Sequence, residues 1–222
     1  IVRLVGGEQA EQVDEGRRLD AVNDQASEQG LRRGLSIAEA RAFVSDLEIR
    51  FVEEKIEKQA LERVADLCLG FGPSVMVELP ELVVVDVTGA GHLWGGETQL
   101  LQQMQEKVGQ LGHEVRIALA DGIGISSAVA RYGGRELEVV PAGRGGERMR
   151  ELPIEAFPVD RESARFLRRV GLRTGSDLAK LPRAQLAGRL AGGASEVLGL
   201  LAGYDPKPLR RYEPAEQVLE QA

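Results

Sequence analysis

The sequence predicts an α+β layer of ferredoxin-like order followed by an all-helical segment, on three observations. Two strand-like runs, Val75–Leu79 and Val83–Val87, are separated only by Pro80-Glu81, which reads as a tight antiparallel hairpin. Strand patterns near 114–119 and 136–140 then alternate with helical stripes, giving the order β-β-α-β-α-β. Beyond a glycine-rich link, Gly143–Gly146, helical periodicity runs from Arg161 to about Leu201, so a domain boundary is expected near residue 145.

Each element has a local reason. Ser36-Ile-Ala-Glu39 is a capping box that opens a short helix through Ala42. A longer amphipathic helix is expected over about 53–69, with Ile56, Ala60, Val64, Leu67 and Cys68 as its apolar stripe and Cys68 facing core. Gly70 and Gly72-Pro73 end it. Along the second hairpin strand side chains alternate, so Glu81, Val83 and Val85 face one way and Leu82, Val84 and Asp86 the other. Near the hairpin's end His92 and Trp94 are expected to pack rather than to bind a ligand. Gly95-Gly96-Glu97 opens a helix whose stripe is Leu100, Leu101, Met104, Val108 and Leu111, stopped by Gly112. Asp121 is the expected N-cap of a small-residue helix through Tyr132.

At 222 residues and 43% hydrophobic content the chain can bury a core. Its one cysteine excludes an internal disulfide, and His92 and His113 are too few for a structural zinc, so no metal or other cofactor is expected. A reducing cytoplasm fits, and no apolar run reaches the roughly 20 residues that span a bilayer. The start at Ile1, mid-pattern and without Met, suggests that a natural N-terminus lies elsewhere. Net charge is −7, against a general nucleic-acid binder, but it is uneven. Residues 1–143 carry 14 Lys/Arg and 24 Asp/Glu, net −10; residues 144–211 carry 14 and 8, net +6; residues 212–222 carry 0 and 3, net −3.

Within the basic segment, Phe166-Leu-Arg-Arg-Val-Gly-Leu-Arg-Thr-Gly-Ser-Asp-Leu-Ala-Lys-Leu-Pro182 has the helix-hairpin-helix pattern. A glycine hairpin of that kind brings backbone amides and a helix start to a phosphate without reading bases. Gly171, Arg173, Thr174, Gly175 and Arg169 are therefore the candidate DNA-binding residues, with Arg161, Arg165 and Arg168 adding charge; the bland reading is a helix corner used for packing.

Taken in order, these pieces resemble the Y-family (DinB/UmuC-type) translesion DNA polymerases along almost the whole chain. Leu79-Pro-Glu-Leu-Val-Val-Val-Asp-Val-Thr88 is similar to the family's palm hairpin, in which an Asp-Glu pair precedes a Leu-Asp-Val-Thr-like segment. Leu19–Arg41 is similar to its fingers segment, 114–132 to a later palm strand and helix, and 151–204 to its thumb. The resemblance implies a palm with partial fingers over 1–145, the fingers segment at about 19–45. It further implies a helix-hairpin-helix thumb over 146–211 and, at 212–222, a linker towards a little-finger domain outside the chain.

The positions that perform chemistry in such enzymes depart from the pattern. The Asp-Glu pair is Glu81-Leu82 here, and two-metal phosphoryl transfer needs several carboxylates converging on the ions. The triphosphate-gripping Tyr and Arg fall on Asp24 and Ser27, and an anionic Asp repels a triphosphate. A lysine-bearing segment falls on Ile123-Gly-Ile-Ser-Ser-Ala128, the first metal-bearing palm strand is not in the chain, and the Gly-Ile-Gly hairpin of the thumb falls on Pro158-Val159-Asp160. The stretch Gly6–Gly16 is shorter than the family's usual connection.

Loss of chemistry within a retained frame is similar to the ImuB-type branch of non-catalytic paralogues. The phrases that carry this are Asp86-Val-Thr-Gly89, His92-Leu-Trp-Gly-Gly-Glu97, Ala130-Arg-Tyr-Gly133 and Leu181-Pro-Arg-Ala-Gln-Leu186. That resemblance implies an adaptor, not an enzyme. Its implied partners are DNA, weakly and non-specifically through the thumb, an ImuA-like RecA-type protein, and a sliding clamp and error-prone C-family polymerase through regions outside this chain. Two alternatives are an active translesion polymerase core and a protein-interaction module without DNA contact. Gly95-Gly-Glu-Thr98 resembles the signature loop of diguanylate cyclases, but Thr98-Gln99 replaces its Glu-Phe.

Overall fold

The computed structural model describes residues 2–5, 17–19, 21–22, 24–52, 54–190 and 193–214; the Gly6–Gly16 connection lies outside them. The chain divides into two compact units, Ile1–Arg63 with Leu79–Glu81, and Val64–Glu78 with Leu82–Ala222.

In the first unit β1 (Val2–Val5) lies between β2 (Ala21–Val22), antiparallel to it, and β3 (Ile49–Val52), parallel to it. Two short helices intervene, α1 (Asp24–Glu28) and α2 (Ile37–Phe43). The capping box of α2 forms as expected: the Glu39 amide donates to Ser36 Oγ, 3.2 Å, and the Ser36 amide to Glu39 Oε2, 2.7 Å. Ile37 and Ala40 are buried with Leu19, Ala26 and Leu31. The three-stranded sheet was not anticipated. Its central strand is four residues long and its parallel partner starts 47 residues later, so no hairpin signal marks the pair.

Helix α3 (Glu54–Cys68) runs across the division between units. Its phase differs from expectation: Ile56 is 55% exposed, and Glu57, Ala65 and Cys68 are the buried positions. The departure is confined to the start of the helix, since Val64, Leu67 and Cys68 of the expected stripe do pack on the core. Cys68 does face core, and burial pushes its thiol up to about 11.

The second unit begins with the hairpin β4 (Ser74–Glu78) and β5 (Leu82–Asp86), paired from Ser74↔Asp86 to Glu78↔Leu82. Val77, Val83 and Val85 enter the core, as the alternation requires, but Glu81 sits in the turn and outside that alternation. A 3-10 turn, Gly91–Trp94, leads to α4 (Glu97–Gln110), which buries Leu100, Leu101, Met104 and Val108. Leu111, expected in the same stripe, is the C-cap and largely exposed. Then β6 (Ile117–Leu119) and β7 (Leu137–Val139) pair in parallel, joined by α5 (Ile123–Tyr132). Among the described residues the four strands form two two-stranded sheets, not one ferredoxin-like sheet. They share core side chains instead, Val77, Val83 and Val85 meeting the same cluster as Ile117, Leu119, Leu137 and Val139.

The chain continues as α6 (Gly145–Glu151), a 3-10 turn Ile154–Ala156, α7 (Arg161–Arg169), α8 (Gly175–Ala179), α9 (Arg183–Arg189) and α10 (Ala194–Ala202). Here the expected link is corrected: Gly145 and Gly146 are buried helix residues. A Cβ at Gly146 would lie 2.7 Å from the Gly203 nitrogen, and one at Gly145 2.9 Å from Ile125 Cδ1. Gly146 thus serves close backbone approach and Gly145 close packing against Ile125, not flexibility. Arg148 binds Glu138 through Nε, 2.7 Å, and Nη2, 3.1 Å, tying α6 to β7. One core cluster joins Ile125, Val129 and Val140 to Leu167, Leu178 and Leu200, so residue 145 does not separate compact units. Among the described residues no helix is long and apolar enough to cross a membrane.

Candidate functional site

The hairpin β4–β5 carries the aligned metal positions. Leu82 opens β5 opposite Glu78, and Asp86 closes it opposite Ser74. Four residues of extended strand separate Leu82 from Asp86 by about 13 Å. Asp86 Oδ1 accepts the Thr88 amide, 3.0 Å, so its carboxylate finishes the strand as a turn. Hydrogen bonds from Thr88, chiefly its hydroxyl, hold the Asp86 pKa low, with a smaller contribution from the charge of Arg211. A Cβ at Gly72 would clash with the Asp86 carbonyl, so the chain passes close behind this end. Glu81 makes a loose, exposed pair with Arg33 at 4.0 Å. Among the described residues no group of three or more His, Cys, Asp and Glu could hold a metal ion.

Asp24 and Ser27 both lie on α1, Asp24 as its first residue and Ser27 with its side chain exposed. His92, expected to pack, is exposed because the 3-10 turn carries it outward. Trp94 does pack, its ring 4.8 Å from that of Phe71, with Lys107 Nζ 5.8 Å from its centre.

Helix α5 begins on the segment Ile123–Ala128, where the resemblance implies a lysine-bearing stretch and this chain has none. Gly122 is its N-cap at φ +113, and Asp121, the expected cap, instead accepts the Gly143 amide at 2.8 Å. Ser126 and Ser127 turn back to the Ile123 carbonyl. The open amides are taken by Asp205, from the far side of α10: its Oδ2 accepts from Gly124 and, at 3.2 Å, from Ile125. A carboxylate on a helix start is favoured by the orphan amides and the dipole.

The thumb-like segment shows the same economy of amides. At Pro158-Val159-Asp160 the Asp160 side chain caps α7 by accepting the Ser163 amide, 2.8 Å, and hydroxyl, 2.6 Å. Those bonds, the hydroxyl's first, lower the Asp160 pKa. In the turn from α7 to α8, Gly171 and Leu172 donate to the Arg168 and Leu167 carbonyls. Arg173 and Thr174 both donate to Asp177 Oδ2, 3.0 and 3.1 Å, and Gly175 to the Leu152 carbonyl, 2.9 Å. The Asp177 carboxylate thus takes up two amides of the turn, and these bonds hold its pKa down, Arg173's most.

Thus the five candidate DNA-binding residues are brought together, with unequal prospects. Gly175 is buried, while Arg173, Arg169 and Gly171, at φ +88, are exposed. Thr174 is partly buried and hydrogen-bonds Asp177 through its hydroxyl, 3.2 Å. The available cations lie on α7, where Arg161, Arg165, Arg168 and Arg169 line one shallow concavity with Glu162. Arg168 there also pairs with Glu155 at 2.7 Å. Sequence reasoning missed Asp177 and Asp205. The first had a signal, an acid three residues after Thr174 in capping-box spacing; the second had none, because its partners are about 80 residues away.

Residues 4–133 match the impB/mucB/samB family. The chain is 34% identical over 171 residues to Protein ImuB of Caulobacter vibrioides strain NA1000 / CB15N, a stretch that covers 77% of this chain and 37% of that protein. Its fold is similar to the crystal structure of DinB from Sulfolobus solfataricus, at 17% identity and a TM-score of 0.72, covering 95% of this chain and 61% of the other. It is also similar to an insertion ternary complex of Dbh DNA polymerase, at 17% identity and a TM-score of 0.69, covering 90% and 60%. The chain therefore spans little more than a third of the curated relative and about three fifths of these structures.

Proposed function

We propose, for a chain that belongs to the impB/mucB/samB family of Y-family polymerases, a non-catalytic adaptor role in error-prone translesion synthesis. The observation that carries it is Leu82, a side chain without a ligand atom at the start of β5; the carboxylate opposite it, Glu78, is bound by Lys207, and Asp86 at the other end of the strand is engaged by Thr88. A polymerase needs converging carboxylates that hold two ions and align attacking and leaving oxygens. Asp205 at the start of α5 adds a carboxylate where the resemblance would place a lysine-bearing segment, which disfavours an anionic substrate there. Primer extension by the full-length protein with Mg or Mn tests this. No incorporation above a Glu81→Ala control is expected; incorporation above it overturns the reading and favours an active polymerase core.

In this role the division of labour falls near residue 145, with a palm and fingers before it and a DNA-facing thumb after it. The arginines of α7 support the DNA contact, since the turn amides of 171–175 already have partners. Guanidinium contacts to phosphate are sequence-independent, and each phosphate neutralised contributes about −0.9 to the log–log salt slope on duplex DNA. Arg165→Glu with Arg169→Glu should weaken binding and flatten that slope. Unchanged binding would favour the protein-interaction module. Contacts to a RecA-type protein, a sliding clamp and a C-family polymerase belong to the same proposal, through regions outside this chain.

A further inference from the structure

The residues after α10 cross the second unit along an ordered path. Gly203, at φ +81, caps α10, and the Tyr204 amide donates back to the Gly199 carbonyl, 2.8 Å. Asp205 then reaches the start of α5, accepting from Gly124 and Ile125. Two residues on, Lys207 Nζ meets Glu78 Oε2 of β4 at 2.7 Å. Finally the Tyr212 amide donates to the Val75 carbonyl, 2.6 Å, its hydroxyl to Asp66 of α3, 2.9 Å, and its ring joins the core around Phe71 and Leu100. Pro206 and Pro208 flank Lys207 and stiffen the run through it.

We propose that residues 203–213 form a strap whose principal latch is Asp205, and that release of this latch frees the segment as far as Tyr212. The anchors differ in kind. Lys207 and Glu78 are both more than a third exposed, so their pair is screened and weak. Asp205 is partly buried and makes charge-assisted bonds to two amides that have no helical partner of their own, which are the strong sort. Its seat is also cleared for it. A Cβ at Gly122 would lie 2.6 Å from Asp205 Oδ2, and one at Gly124 3.1 Å from the same oxygen. The strap thus joins the end of α10 to the start of α5, to β4 and to α3, and it fixes the course on which the chain leaves the helices.

Amide hydrogen exchange by NMR on the protein tests the latch. In Asp205→Ala the Tyr212 amide should exchange about tenfold faster, as should Gly124 and Ile125, while amides of the β4–β5 ladder keep their wild-type rates. Unchanged exchange at Tyr212 would overturn the proposal, leaving Asp205 as a cap of α5 only. Equal acceleration of the ladder would overturn it too, because then the unit loosens as a whole. Asp205→Asn keeps the shape and removes the charge, and serves if the alanine variant does not fold; an unaltered Tyr212 rate in it counts against the latch. Tyr212→Phe orders the anchors. It should speed exchange at residue 212 and leave Gly124 and Ile125 as they are; acceleration at those two would make Tyr212, not Asp205, the latch.

Discussion

The amino ends of α5 and α8 are both closed by a carboxylate, one from far along the chain and one from next door. Asp177 belongs to the first turn of α8 and folds back over its own N-cap, so its closure involves almost no chain ordering. Asp205 closes α5 from about 80 residues away, which is possible only once α10 has packed against α6 and α5. The local closure shapes a turn, whereas the distant one ties layers together.

The comparison can be broken from several sides. The largest effect is expected at Gly175, behind the α8 closure, where an added Cβ would lie 2.7 Å from Phe157 Cζ and 2.9 Å from Arg150 Cα. Gly175→Ala should cost about 3 kcal/mol in denaturant unfolding, because backbone and a buried ring must move. A loss within about 0.5 kcal/mol, the range of surface changes, would refute that packing account. Gly122→Ala at the α5 closure should cost less, about 1–2 kcal/mol. Its obstacle is the short Asp205 side chain, Oδ2 at 2.6 Å and Cβ at 2.7 Å, and the strain of φ +113 adds to it.

Acid should act next. The pKa values of Asp86, Asp160 and Asp177 lie below the ordinary range, each held there by hydrogen bonds that favour the charged form. Because the folded values are depressed, this stability is full above the unfolded value of about 4 and is lost as pH falls through the folded ones. The melting temperature should therefore hold from neutrality to about pH 5 and fall below about pH 4. Asp177→Ala should reduce the acid-sensitive part, and an unchanged acid limb would show that this closure contributes nothing. The smallest stability effect is expected for Arg173→Glu, within about 0.5 kcal/mol, since the side chain is exposed. Its DNA affinity should drop while its melting temperature holds. A large fall in melting temperature would show a structural role, and unchanged affinity would leave α7 as the surface to test.

Short-range features were legible in the sequence. The Ser36–Glu39 box, the β4–β5 hairpin, the face of α4 and the burial of Cys68 each rest on residues within a few positions of one another. What was missed depends on distance. The phase of α3 is set by what packs on it, so Ile56 is exposed and Glu57 buried against the hydrophobic pattern. Gly145 and Gly146 look like a linker because glycine spells both freedom and close contact, and only their distant neighbours, Ile125 for the first and the end of α10 for the second, distinguish the two. At the candidate site Glu81-Leu82 was readable from the hairpin alone, but the engagement of the turn amides by Asp177 and Leu152 needed the fold.

Trp94 is the single tryptophan of the chain, stacked on Phe71 beneath Lys107. Its ultraviolet emission is therefore a one-place gauge. Excited selectively, it reports solvent entry at the turn after β5, in the second unit, while the first unit contributes no signal of its own. A fluorescence melt of this protein will track one unit only, and calorimetry is the natural companion for revealing whether the other comes apart at the same temperature.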